Sequence, residues 1–130
     1  MAEYHDPSSG VRFYRPLGGA IGFGEHSREC IIREMREEIG AEIKDLTYVG
    51  MVENIFTVSG KPGHEIVLVY EANFVDPRLY EVESFRCRDD DGEFVAAWKS
   101  IDEFRAEKAP LYPEGLPDLL DKARERPDFR

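Results

Sequence analysis

A layered α/β fold is what this chain predicts, and three observations carry that expectation. One stretch, His26 to Ile39, has the periodicity of an amphipathic helix and is closed by Gly40 at the position where helices favour glycine. A second, "EIVLVYEANF" from Glu65 to Phe74, is apolar nearly throughout and reads as a strand central to a sheet. The third is the irregular alternation of strand and helix patterns along 130 residues, which suits mixed layers better than a doubly wound sheet. No internal repeat or low-complexity linker interrupts the chain, so residues 1–130 are expected to form a single domain.

In chain order, "VRFYRPL" reads as an extended segment running into glycines. "IKDLTYVGMVENIFTV" alternates as one long strand or two short ones, and "SGKPGH" is a turn ahead of the apolar strand. "DDDGEFVAAW" sets an Asp-Gly turn before a strand ending at Trp98. In "SIDEFRAE", Ser100 followed three residues later by Glu103 is a capping box for a short helix. "GLPDLLDKARER" supplies a C-terminal helix.

The balance of 27 acidic against 17 basic residues gives a net charge of −10. Clustered Lys and Arg for gripping DNA or RNA through the backbone are missing, so no nucleic-acid grip is expected. A polyanionic small molecule is still compatible with such a chain if divalent cations sit between the two negative partners. The longest apolar run, "IVLVY", is far short of a membrane span, and the N-terminus carries no secretory pattern. The expected setting is cytoplasmic, with Cys30 and Cys87 reduced and serving as packing residues.

The densest chemistry lies in "GGAIGFGEHSRECIIREMREEIGA", Gly18 to Ala41. On a helical wheel Glu34, Glu37 and Glu38 share an arc of roughly 100°, bordering the stripe of Ile31, Met35 and Ile39. Like charges at these spacings cost about 0.2–0.5 kcal/mol per pair unless a cation compensates. Arg28, Arg33 and Arg36 are one source of compensation. Mg²⁺ or Mn²⁺ on the acidic edge is the other. Gly18, Gly19, Gly22 and Gly24 ahead of the helix let main-chain atoms come close to a ligand or metal.

These residues resemble the signature of the Nudix hydrolases, G-x5-E-x7-R-E-U-x-E-E-x-G-U, where U is a bulky apolar residue. Gly19, Glu25, Arg33, Glu34, Glu37, Glu38 and Gly40 occupy all seven fixed positions. The resemblance implies an α/β/α sandwich with a mixed sheet. It also implies hydrolysis of a pyrophosphate bond in a nucleoside diphosphate linked to another moiety, by water attack at phosphorus with glutamate-bound Mg²⁺ or Mn²⁺. Carried over by position, it makes Glu34 and Glu38 the main metal ligands, with Glu37 in the ligand set or just behind it and the Gly19 carbonyl as a further oxygen. Glu25 and Arg33 match the family's supporting pair. The general base falls to Glu34 or Glu38 first, and to the Asp89–Glu93 loop second.

The chain departs from the family in three places. Gly22 stands where relatives commonly have Glu, and Ala41 is small for the last apolar position. Only seventeen residues precede Gly18, so the sheet is expected to lack its usual first N-terminal strand, with a homodimer as one way of filling the gap. The alternative function is a catalytically retired Nudix domain that binds a nucleotide or a partner. Weaker candidates are His64 as a base or turn anchor, and Tyr14, Phe56 and Tyr112 as base-stacking or packing groups.

Overall fold

The computed structural model describes residues 1–107 and 110–126. Among the described residues there are two antiparallel sheets, three α-helices and a 3-10 turn at Pro77–Tyr80. Strands β1 (Ala2–His5), β2 (Arg12–Arg15), β5 (Ser84–Asp89) and β6 (Gly92–Ala97) form one sheet in the order β2-β1-β6-β5. Strands β3 (Ile43–Val58) and β4 (Lys61–Phe74) form a long two-stranded ribbon. Helix α1 (Ser27–Ile39) packs on β5 and β3, while α3 (Leu116–Arg124) packs on β3. Helix α2 (Ile101–Glu107) opens with the anticipated capping box: the Ser100 amide donates to Glu103 Oε2 at 2.8 Å, and Ser100 Oγ accepts from the Asp102 amide at 3.3 Å.

Strand β1 is an element the sequence pattern leaves unassigned, because four residues are too short to show a period. It lies between β2 and β6, pairing Ala2 with both Arg15 and Ala96. The terminal amino group also donates to the Ala97 carbonyl at 2.7 Å. All the ladders among the described residues are antiparallel. Parallel pairing is confined to one bridge between Tyr14 and Leu111, where the Tyr112 amide donates to the Tyr14 carbonyl at 2.8 Å.

The expectation of a central apolar strand needs correction. Among the described residues β4 pairs only with β3. Ile66 is 60% exposed, and residues 66–70 line a cavity instead of lying beneath a second strand. An apolar run signals burial on both faces of a strand, yet it reads the same when one face only borders a cleft. "IKDLTYVGMVENIFTV" is a single 16-residue strand with register shifts between Lys44 and Thr47 and between Tyr48 and Gly50.

The core gathers small and medium side chains from every layer: Ala2, Tyr14, Val49, Cys87, Ala96, Phe104, Leu116 and Ala123 are buried. Tyr14 meets Phe104 edge-on, so it packs and does not face a ligand. Beside the α3–β3 contact, the Arg126 guanidinium donates to the Val49 carbonyl at 2.7 Å. Leu116 is 1% exposed at the start of α3. Truncating it to alanine is expected to cost about 2–5 kcal/mol, through lost transfer energy and the cavity left behind. Phe23, wholly exposed in the glycine loop, is the control: Phe23→Ser is expected to change stability by less than about 0.5 kcal/mol. Urea unfolding of both variants measures the contrast.

Candidate active site

The glycine loop and α1 are joined by one side chain. Arg33 Nε and Nη2 donate to the two oxygens of Glu25 at 2.7 and 3.0 Å, a two-pronged ion pair. The same guanidinium, through Nη1, reaches Glu34 Oε1 and Glu37 Oε2, each at 3.0 Å. Glu25 is held from the loop side as well, by the Gly22 amide at 3.0 Å. Arg33 and the Gly22 amide push the Glu25 carboxyl down to about 2. Four of the predicted site residues thus form one network.

At position 19 the loop backbone lies directly against the Glu34 carboxylate: a Cβ there would overlap it, and the carboxylate would have to swing off its Arg33 partner to make room. At the far end of α1, Gly40 adopts φ 65°, and its amide and that of Ala41 return to the Arg36 and Met35 carbonyls. This left-handed turn ends the helix one residue after the acidic pair, and a residue with a Cβ would be strained in it.

Glu38 stands apart from the Arg33 network. It is 8% exposed, and its Oε2 is buried without a hydrogen-bond partner. Burial first, then the charges of Glu34 and Asp89, push its carboxyl up to about 7 from an ordinary 4.5. Asp89, at the end of β5, therefore belongs to the same neighbourhood. Its Oδ1 accepts the Asp91 amide at 2.9 Å, so the loop is a hairpin turn as well.

These acids border a cavity of about 770 Å³. Its lining includes Gly18–Ala20, Glu38, Asp89 and Asp91, together with Tyr4, Phe13, Phe56, Tyr112 and the apolar run of β4. Phe13 stacks on Tyr4 and meets Tyr112 edge-on. Tyr4 in turn stacks on Phe94, so an aromatic row crosses β2, β1 and β6. Burial, with Glu38 and Asp89 adding to it, pushes the Tyr4 hydroxyl up to about 12.

Several weaker candidates fall outside this arrangement. His64 faces Glu53 at 3.3 Å on the exposed side of the ribbon. Glu93 pairs with the exposed Arg88. Cys87 is buried, and burial pushes its thiol up; Cys30 is buried too, with its thiol pushed up, but it borders the cavity, where its sulfur accepts Arg33 Nη2 at 3.7 Å. Glu65 does reach the cavity, but it is engaged there: its Oε1 accepts Arg15 Nη2 at 3.0 Å and Asn54 Nδ2 at 3.1 Å. Arg15 and Tyr4 escape a reading of the sequence. Arg15 carries one signal, its place four residues before Gly19 in an extended segment, whereas Tyr4 lies in the unassigned first strand.

The donor chemistry fits a hard divalent cation. It offers carboxylate oxygens, one of them buried and unpartnered on Glu38, with Glu34 alongside. Among the described residues no three acid, histidine or cysteine side chains converge as a finished cage, and Arg33 bonds both Glu34 and Glu37.

A glycine loop buttressed by Arg33 against an acidic helix, set between mixed layers, defines a class of domain, and comparison with known proteins identifies it. A family model described as NUDIX domain matches residues 3–119. The chain belongs to the Nudix family, whose hydrolases are in general dependent on divalent metals. It is similar to the NAD-capped RNA hydrolase NudC of Pseudomonas aeruginosa, 31% identical over 70 residues that make up 54% of this chain and 23% of that protein. The NAD-capped RNA hydrolase NudC of Mycobacterium tuberculosis (strain ATCC 25177 / H37Ra) is 33% identical over 96 residues, 73% of this chain and 26% of the relative. The chain thus matches about a quarter of the length of these curated relatives. No helix among the described residues is long and apolar enough to cross a membrane.

The position of Glu38 sets a pH dependence. A carboxyl raised from 4.5 to about 7 binds more protons folded than unfolded between those values, so stability is full below about 4.5 and declines as pH rises toward 7. The expected result for metal-free protein is a melting temperature that falls between pH 5 and 7.5. Glu38→Gln flattens that fall, and Mg²⁺ stabilises the wild type more at pH 8 than at pH 5. Calorimetric melting across pH checks all three.

Proposed function

We propose that this chain, acting as one Nudix domain, hydrolyses a phosphoanhydride bond in a nucleoside diphosphate derivative, using Mg²⁺ or Mn²⁺. The observation that carries the proposal is the buried, unpartnered oxygen of Glu38, a residue that lines the cavity and has Glu34 beside it. Glu34 and Glu38 would hold the metal, with Glu37 at the exposed edge and the Gly19 carbonyl as an added oxygen. When bound, the metal supplies charge neutralisation of the phosphoryl oxygens and a more acidic water. Glu25 and Arg33 keep the glycine loop and helix in register. Glu34 or Glu38 takes the proton of the attacking water, with Asp89 as the next acid within reach. The proposed setting is the cytoplasm, where the two free thiols would remain reduced.

The names of the relatives add NAD and NAD-capped RNA to the substrate classes worth testing, although the chain's net charge is −10. A second reading, binding without hydrolysis, has one observation on its side: Arg33 bonds two of the three box glutamates on the helix.

Phosphate release through a coupling phosphatase, across nucleoside diphosphate derivatives, NAD and NAD-capped RNA, separates the two readings. The expected outcome is turnover that needs Mg²⁺ or Mn²⁺, stops with EDTA, and falls on the order of 10²–10⁴-fold in Glu38→Gln. Binding of the same compounds with no turnover on any of them would sink the hydrolase reading in favour of the retired domain.

A further inference from the structure

The cavity has one cation among its described lining residues, Arg15, against Glu38, Glu65, Asp89 and Asp91. Resting on the hydrolase reading, we propose that Arg15 seats the second phosphate of the substrate, the one not neutralised at the glutamate helix, and that Glu65 and Asn54 position its guanidinium for that purpose.

The geometry argues for this in three ways. Arg15 is 34% exposed on its side chain and bonds Glu65 through Nη2 alone, which leaves most of a five-donor fork available to an anion. A guanidinium can take two oxygens of one phosphate, so it gives direction as well as charge. Its bracing is unusual in what it leaves unsatisfied. Asn54, 2% exposed, spends its Nδ2 on the oxygen of Glu65 that Arg15 also uses, while Asn54 Oδ1 stays buried with no partner. Through Glu65, the Asn54 amide therefore fixes where the Arg15 guanidinium stands from the β3 side of the cavity.

Placement supplies the third argument. Arg15 ends β2, and residues 16–18 are all that separate it from Gly19, whose backbone lies against Glu34. The Tyr4 hydroxyl feels Glu38, Asp89 and Arg15 together, which puts acids and cation around one space. A pyrophosphate derivative carries charge on adjacent phosphoryl groups. Carboxylate-bound metal answers one of them, and Arg15 is the group in the cavity with the right sign for the other. Phe13 and Tyr112 lie alongside to receive an apolar or aromatic remainder.

The test uses the best substrate of the wild-type chain. Arg15→Gln is expected to raise KM about 10- to 100-fold while kcat moves less than about 3-fold, the reverse of Glu38→Gln. Arg15→Lys, with charge but no fork, recovers part of the loss. Glu65→Gln, which leaves Arg15 in place but loosens its bracing, raises KM less. An unchanged KM in Arg15→Gln melting at the wild-type temperature would overturn the proposal; should that variant unfold, Arg15→Lys with a wild-type KM for the phosphoanhydride substrate would do the same. If the wild type hydrolyses nothing, the hydrolase reading has failed and the arginine is tested alone. ADP with Mg²⁺ is then titrated calorimetrically, with at least 10-fold weaker binding expected in Arg15→Gln, and equal binding overturning the assignment.

Discussion

The site depends on the Arg33 guanidinium. Three carboxylates crowd one edge of α1 and a fourth lies on the loop before it. Left to themselves, the helix acids repel one another, and the loop is tied to the helix by weak contacts such as the Cys30 thiol on the Gly19 and Ala20 carbonyls. Arg33 answers both problems: it takes both oxygens of Glu25 and, from the same plane, one each from Glu34 and Glu37. It is a planar, permanently charged fork, and lysine would have to choose among these partners. Its own proton is held more firmly than usual, chiefly by Glu25.

What Arg33 leaves out is as informative as what it binds. Glu38 lies on the inward side of the helix, where Arg33 makes no contact with it and burial disfavours its charge. The arginine thus engages Glu25, Glu34 and Glu37, while Glu38 is left buried, where loss of solvent raises its carboxyl. The glycines complete the arrangement, Gly19 by allowing the loop to touch Glu34 and Gly40 by ending the helix before it runs past the site.

How far the sequence could be read follows from where each signal resides. The loop–helix element was legible because its information is local: ion pairs at short spacing, a helical period and a C-terminal glycine all fall within 24 residues. The α2 capping box was legible for the same reason. The position of β4 was not, since sheet order is a long-range property and an apolar run looks alike beside a strand or beside a cleft. β1 was too short to show a period. Arg15 was hidden because its meaning comes from Glu65 and Asn54, which lie on two other strands and are brought to it by the antiparallel pairing of β3 with β4.

The two sheets share no backbone ladder among the described residues. The cleft between them is spanned by side chains, with the Arg15–Glu65 pair reaching from β2 to β4. On the same divide Phe74 of β4 packs against Phe85 of β5 and against Trp98, so the sheets are joined by side-chain contacts where a continuous sheet would use a row of main-chain bonds. A change to any one of these side chains is therefore a change in how the two sheets meet around the cavity, with no ladder of main-chain bonds to absorb it.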